Sequence, residues 1–225
     1  MTALAGKSVM VVGGTRGLGR GVATTAREAG ARVTVVARDL DGHDGEQGDA
    51  TDETFAGKVL AGHRPDLLVI TAGAVPPMRP LTEHTWETFS VNWHADVRIA
   101  FTWLRAALSL PLAPGSRVVV FGSAAELRGS PLSGGYAGAK ATVRLITGYA
   151  AAQAGPLGIT VTTLLPVVTP GTTIGETAIA AYGGGSALTP QAVGAAVLTL
   201  ATAPTNERAY LVDPGGLRSL TSPGA

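Results

Sequence analysis

Residues 8–37 read SVMVVGGTRGLGRGVATTAREAGARVTVVA. The apolar run Ser8–Val12 predicts a buried strand that feeds directly into Gly13-Gly14-Thr15-Arg16-Gly17-Leu18-Gly19. Beyond the glycines, Leu18, Val22, Ala26 and Ala29 recur at helical spacing, and Gly30 follows as a stop. The β-branched run Arg32–Ala37 predicts the next strand. Strand, glycine turn, helix and strand form a βαβ unit, whose parallel strands require a right-handed crossover.

The same alternation continues outward. Residues 39–52, DLDGHDGEQGDATD, are acidic and glycine-rich and predict a loop with at most a short strand near 47–50. A helix is expected over 53–61 and a buried strand over 66–71. Thr82 is expected to cap a short helix, with a longer one over 91–110. A strand at 118–121, a helix at 136–154 and a strand at 158–165 come next. The Gly/Thr/Ala-rich segment 167–188 predicts a flexible substrate lid. Thr189-Pro190 opens a helix to about residue 203, and 210–213 forms a last strand. The expected fold is α/β: a Rossmann-type, doubly wound parallel sheet of about seven strands, the third short, with helices on both faces. A flavodoxin-like sheet shares the alternation, but the first glycine turn argues against it.

Composition bounds the rest. The 225 residues suit a single domain over 1–225, and 45% hydrophobic with 15% charged residues describes a globular chain. A net charge of +1 offers no electrostatic case for nucleic acid or an acidic membrane surface. There is no cysteine, which excludes disulfides and thiolate metal sites and fits a cytoplasmic location. No basic stretch precedes an apolar one at the amino terminus, so no signal peptide is expected. From Leu145 to Asn206 the only charge is Glu176, yet repeated Gly and Pro break the run, and no membrane span is expected.

Two stretches carry chemistry. Glycines after a first strand let the backbone approach a pyrophosphate at a positive helix N-terminus. An acid ending the second strand would grip a ribose 2′-hydroxyl, whereas an Arg accommodates a 2′-phosphate. Here Arg38 stands at that end and Arg16 within the glycine turn, which predicts NADP(H). The competing reading makes Arg38 a solvated residue and Asp39 the ribose ligand. Residues 117–140, RVVVFGSAAELRGSPLSGGYAGAK, hold the second constellation. Tyr136 and Lys140 share a helix face, and Ser123 ends the strand feeding that helix. Bringing a phenol from ~10 to about 7 takes roughly 4 kcal/mol. An ammonium ~4 Å away supplies about that at an effective dielectric of ~20. Lys140 is thus expected to poise Tyr136 for proton transfer while Ser123 bonds the substrate oxygen.

On these residues the chain resembles the short-chain dehydrogenase/reductases over nearly its whole length. The family's T-G-x-x-x-G-x-G turn corresponds to Val12 through Gly19, with Val in place of Thr, and its adenine-side Asp to Asp49. Its N-N-A-G motif reads Ile70-Thr71-Ala72-Gly73, without either Asn. Its helical Asn matches Asn92, which the resemblance assigns to a proton path from Lys140. Its P-G turn beneath the nicotinamide is Pro166-Val167, and Asp213-Pro214-Gly215-Gly216 resembles its D-G-G end. The resemblance implies Asn92, Ser123, Tyr136 and Lys140 as the catalytic set. It implies cofactor contacts from Gly13, Thr15, Arg16, Gly17, Leu18, Gly19, Arg38, Asp49, Ala72, Gly73, Tyr136, Lys140, Pro166, Val168 and Thr169. Thr169 and Thr172 both stand where the family places a hydroxyl near the nicotinamide.

The implied function is hydride transfer between NADP(H) and a carbonyl or secondary alcohol. A redox-silent NADP-binding sensor or scaffold of the same fold is the alternative. A nucleotide-sugar epimerase is disfavoured by its different glycine spacing and longer substrate domain. The small, sparsely charged residues of 124–133 and 167–188 point to an uncharged substrate. The four histidines lack metal-ligand spacing, so no metal is expected. Trp86, Trp93 and Trp103 read as core or interface residues. The apolar stripe Leu145, Tyr149, Ala152 reads as buried, and by resemblance the 91–110 and 136–154 helices pair across a two-fold axis in a homodimer or homotetramer.

Overall fold

The computed structural model describes residues 3–203 and 207–220. β1 (Ser8–Val12), α1 (Gly17–Glu28), β2 (Arg32–Ala37) and β3 (Gly45–Gln47) come first. α2 (Glu53–His63), β4 (Leu67–Ile70), a 3₁₀ turn (Leu81–Glu83) and α3 (Trp86–Phe89) follow. A π-helical turn (Trp93–Val97) runs into α4 (Arg98–Ser109), then β5 (Arg117–Phe121) and α5 (Ala125–Arg128). α6 (Tyr136–Ala154), β6 (Thr160–Pro166), α7 (Thr173–Tyr182), α8 (Pro190–Thr202), β7 (Ala209–Asp213) and β8 (Gly216–Ser219) complete the order.

The strands form one sheet in the order β3-β2-β1-β4-β5-β6-β7-β8, parallel throughout except for antiparallel β8. This is the doubly wound α/β architecture, with the order reversing between β1 and β4. The crevice at that reversal, beyond the strands' carboxyl ends, is where such sheets take ligands. Alternate side chains serve opposite faces. Met10, Val12, Leu68, Ile70, Val118 and Val120 pack with Trp103 of α4 and Val143 of α6. Val9, Val11, Val35, Val69 and Val119 pack with Val22 of α1 and Val193 and Val197 of α8. A strand buried on both faces reads as the continuous apolar run seen in the sequence.

Local expectations shift in five places. The short third strand lies at Gly45–Gln47, because its ladder partner is Val35–Ala37. Thr82 sits inside the 3₁₀ turn, and the cap belongs to Thr85, whose hydroxyl accepts from the Thr88 amide in a capping box. The long helix expected over 91–110 is interrupted by the π turn. Segment 167–188, expected to be flexible, contains a ten-residue helix, α7, started by the Thr172 side chain. The D-P-G-G end turns the chain into β8, an eighth strand bonded to β7. Trp103 is fully buried and donates to the Ala50 carbonyl, whereas Trp86 and Trp93 are exposed. Leu145, Tyr149 and Ala152, expected to be buried, lie on the exposed face of α6. Among the described residues no helix is long and apolar enough to cross a membrane.

Candidate active site

β1 ends at Val12, and the chain turns sharply at Gly13, with φ of +88°. A Cβ on Gly13 would stand 2.8 Å from the Ala72 backbone, and one on Gly19 would stand 2.1 Å from the Gly13 carbonyl oxygen. Only hydrogen fits at either position, so the start of α1 closes tightly over the strand ends. Thr71, standing where the resemblance expects Asn, donates its hydroxyl to the Val12 carbonyl at 2.8 Å. That hydroxyl also reaches the Gly13 carbonyl at 3.3 Å, tying the turn to β4.

A cavity of about 1140 Å³ opens from this turn. At one end it is lined by Gly13, Thr15, Arg16, Gly17, Leu18 and Gly19, with Arg38 and Asp49 beside them. Asp49 accepts from the Thr51 amide (2.8 Å) and hydroxyl (2.9 Å), which hold its carboxyl below its usual range. The Asp39 carboxylate also faces this end but accepts from the Asp41 amide at 3.0 Å. Ala72, Gly73, Pro166, Val168 and Thr169 line the middle. The Thr169 hydroxyl is buried and donates to the Val167 carbonyl, while Thr172 donates to the Thr169 carbonyl and caps α7.

Ser123, Tyr136 and Lys140 converge on the same cavity. Ser123 leaves the end of β5, and Tyr136 and Lys140 occupy one face of the first turns of α6. The Lys140 ammonium lies 5.9 Å from the centre of the Tyr136 ring. It pairs with the Asp96 carboxylate at 3.0 Å and donates to the Phe121 carbonyl at 3.2 Å. Asp96, on the π turn, was not expected from the sequence. Its other oxygen accepts from the Ala74 amide at 2.8 Å and from Asn92 Nδ2 at 3.2 Å. Asn92 is fully buried and also donates to the Ala74 carbonyl at 2.8 Å. Asn92 and Asp96 therefore clasp the segment after β4 that lacks the family's two Asn residues, and Asn92 Oδ1 is left without a hydrogen bond.

The electrostatics differ from the sequence expectation. Burial raises the Tyr136 phenol above its ordinary value, and Lys140 and a hydrogen bond with Ser123 offset only part of that. Asp96 and Glu126 push it further up. Lys140 does not draw the phenol below its ordinary value in this structure, because the cost of burying the phenolate outweighs the nearby charge. Burial disfavours the Lys140 ammonium, but Asp96 and the other nearby acids outweigh it, and its pKa is raised. The phenol is held protonated and the amine charged.

The cavity lining also includes Val75, Pro76, Met78, Ile174 and Ala178, together with Arg128 and His94. α7 contributes Ile174, Ala178 and Tyr182 to it. Its Tyr182 hydroxyl accepts from the Leu132 amide at 2.7 Å and meets the Ser130 hydroxyl at 3.1 Å. α7 is thereby tied to the loop before α6. Among the described residues no cluster of three or more potential metal ligands occurs. His63 bonds Glu46 and His84 bonds Thr88, both away from the cavity.

The family model described as enoyl-(acyl carrier protein) reductase matches residues 12–207. The chain is a short-chain dehydrogenase/reductase. L-xylulose reductase of Bos taurus is 31% identical over 179 residues, covering 73% of this chain and 72% of that protein. Two solved structures share the fold. A 3-ketoacyl-(acyl-carrier-protein) reductase from Brucella melitensis, complexed with NADH, superposes with a TM-score of 0.78. It is 22% identical and covers 94% of this chain and 98% of its own. A short chain dehydrogenase from Burkholderia cenocepacia, in complex with NADP, gives 0.75 at 24% identity, covering 89% and 92%. This short-chain dehydrogenase/reductase is thus an oxidoreductase of a family that uses nicotinamide cofactors, and the glycine cradle, with no room for a Cβ, fits such a group.

Three site features escaped the sequence. Asp96 lies one helical repeat after Asn92, so the i, i+4 rule was the available signal. Tyr182 and Glu126 had none, since their partners come from distant or irregular segments.

Proposed function

We propose that this short-chain dehydrogenase/reductase is an NADP(H)-dependent enzyme that reduces the carbonyl of an uncharged small molecule, or runs the reverse alcohol oxidation. In this reading the chain works as one dinucleotide-binding domain over 1–225, with 167–188 as its lid. The observation that carries it is the buried Tyr136 phenol, flanked by Ser123 and Lys140 in the cavity that begins at the glycine cradle. NADPH, when bound, supplies the hydride. Tyr136 donates the proton to the substrate oxygen, and its raised pKa favours the protonated form that reduction requires. Ser123 hydrogen-bonds and orients that oxygen. Lys140, kept cationic by Asp96, stabilises the phenolate left after transfer, and Asn92 supports the path by which the proton is replaced.

The remaining named residues hold the cofactor. Gly13, Thr15, Gly17, Leu18 and Gly19 take the pyrophosphate at the α1 N-terminus. Ala72 and Gly73 run beside the cofactor, Asp49 meets the adenine, and Pro166, Val168 and Thr169 border the nicotinamide. Arg16 and Arg38 hold the 2′-phosphate. That preference is supported by Asp39, whose carboxylate is engaged by its own turn at the place where an acid would otherwise grip a ribose hydroxyl. The apolar side chains of Val75, Met78, Ile174 and Ala178 in the cavity lining support an uncharged substrate. The exposed Phe101 of α4 and Leu145 and Tyr149 of α6 support a homodimer or homotetramer.

The test is Tyr136→Phe, which keeps the ring and removes the acid. NADPH affinity is expected to stay within about two-fold, while turnover on a carbonyl panel falls about 10²–10⁴-fold. Wild-type binding of NADPH without turnover on any member would favour a cofactor sensor instead.

A further inference from the structure

Ile174, Ala178 and Tyr182 follow one another at intervals of four along α7, so one face of that helix meets the cavity with two apolar side chains and then a phenol. The segment between β5 and α6 lines the same cavity with Ser123, Ser130 and Ser133. Each hydroxyl carries one hydrogen. Ser133 is buried and spends its own on the Ser130 carbonyl at 2.8 Å. Ser123 and Tyr136 belong to the reacting end. The other two hydroxyl oxygens, Ser130 Oγ and Tyr182 Oη, lie 3.1 Å apart. One hydrogen occupies the space between them, whichever atom donates it. The Leu132 amide fills a lone pair of Tyr182 Oη at 2.7 Å and offers no acceptor in return. Neither hydroxyl has a further partner among the described residues, so the pair's second hydrogen has no protein acceptor.

We propose that the Ser130–Tyr182 pair is a specificity site: it donates its unshared hydrogen to a second, uncharged oxygen of the substrate. The substrate is then a ketone with a further carbonyl, ether or hydroxyl oxygen away from the reacting carbon. This rests on the reading of Ser123 and Tyr136 as the carbonyl end of the cavity. Ile174 and Ala178 give the α7 wall no other polar side chain in the lining, so a substrate lying along it meets apolar surface and then one donor. A hydroxyl pair offers a hydrogen without a formal charge, which suits a neutral oxygen. An anion would instead seek the Arg128 guanidinium in the same lining. A plain tie between α7 and the loop needs only the Leu132 bond, and Ser130 adds a hydroxyl that such a tie does not require. Tyr182 is 44% exposed, so water competes for the hydrogen and the preference is modest.

The experiment measures kcat/KM with NADPH for a straight-chain methyl ketone and for the same chain with one CH₂ replaced by an ether oxygen or a second carbonyl, moved along position by position. The wild type is expected to favour one oxygenated position about ten-fold. Tyr182→Phe leaves the Ser130 hydrogen free and Ser130→Ala leaves the Tyr182 hydrogen free, so each single variant should keep most of that preference. Any rise in KM from loosening α7 should fall on both ketones of a pair alike. Combining Ser130→Ala with Tyr182→Phe removes both hydrogens and should abolish the preference. No favoured position in the wild type, complete loss in either single variant, or survival in the double variant overturns the proposal. So does a carboxylate-ended chain preferred over every neutral one, which would give the position to Arg128. Lack of turnover with every ketone would sink only the functional reading. Saturation-transfer NMR of the same pairs on the whole protein, with and without NADPH, then reads the preference without chemistry, and equal binding there overturns the proposal.

Discussion

Replacing Asp96 by Asn isolates the buried pair that holds the site together. One Asp96 oxygen faces two donors, the Ala74 amide and Asn92 Nδ2, and the other faces the Lys140 ammonium at 3.0 Å. Both oxygens must accept. An amide offers one acceptor and one donor, so either rotamer of Asn sets an N–H against a donor or a cation. The Asp96 and Lys140 side chains are 1% and 7% exposed, so water cannot replace the lost partner. Removing one member of a buried pair costs about 3–5 kcal/mol, against a total stability of about 5–15 kcal/mol. Urea unfolding at pH 7 should show that loss in Asp96→Asn and again in Lys140→Met. The double variant should cost much less than the two added, because neither charge is then stranded. Lys140's pKa is raised in the folded state, so its contribution is complete at neutral pH and is lost only as pH climbs past about 10.5. A cost below about 1 kcal/mol for Asp96→Asn, or additive single variants, would refute the reasoning.

Three further outcomes test other parts of the site. Arg38→Ala should weaken NADPH binding about 10–100-fold and leave NADH nearly unchanged, as a lost charge-assisted hydrogen bond predicts; equal losses in fluorescence titrations would return the ribose to Asp39. Gly19→Ala drives a methyl group into the Gly13 carbonyl, and should cost about 1–3 kcal/mol in a thermal or urea melt and abolish dinucleotide binding. A variant that still binds would mean the cradle relaxes. Tyr182→Phe removes the hydroxyl that joins α7 to Leu132 and Ser130, a loss of about 1 kcal/mol. KM for the carbonyl should rise about five-fold while kcat holds; an unchanged KM would show that the latch does not shape the pocket.

The layered sheet was legible because its evidence is local. A strand buried on both faces must be apolar wherever it is buried, as Val9–Val12 of β1, all of β4 and Val118–Phe121 of β5 are, and a tight turn after β1 must carry glycine. Tyr136 and Lys140 were legible for the same reason, since one helix turn links them. β8 was hidden because its residues are mostly exposed and its partner β7 supplies the order. α7 was hidden because its Gly- and Thr-rich flanks read as loop, whereas the Thr172 cap and the Tyr182 latch stabilise a helix there.

What the chain alone determined is the set of groups: a glycine turn, a phenol and an ammonium one turn apart, and a serine at the end of a strand. Tertiary structure decided their ionisation. It brought Asp96 to Lys140 and Glu126 to Arg144, and it enclosed the phenol, so that burial outweighs the neighbouring cation and Tyr136 stays protonated. The reason is that spacing along a helix is set by the backbone, whereas desolvation and the meeting of distant charges exist only once the chain has closed around them.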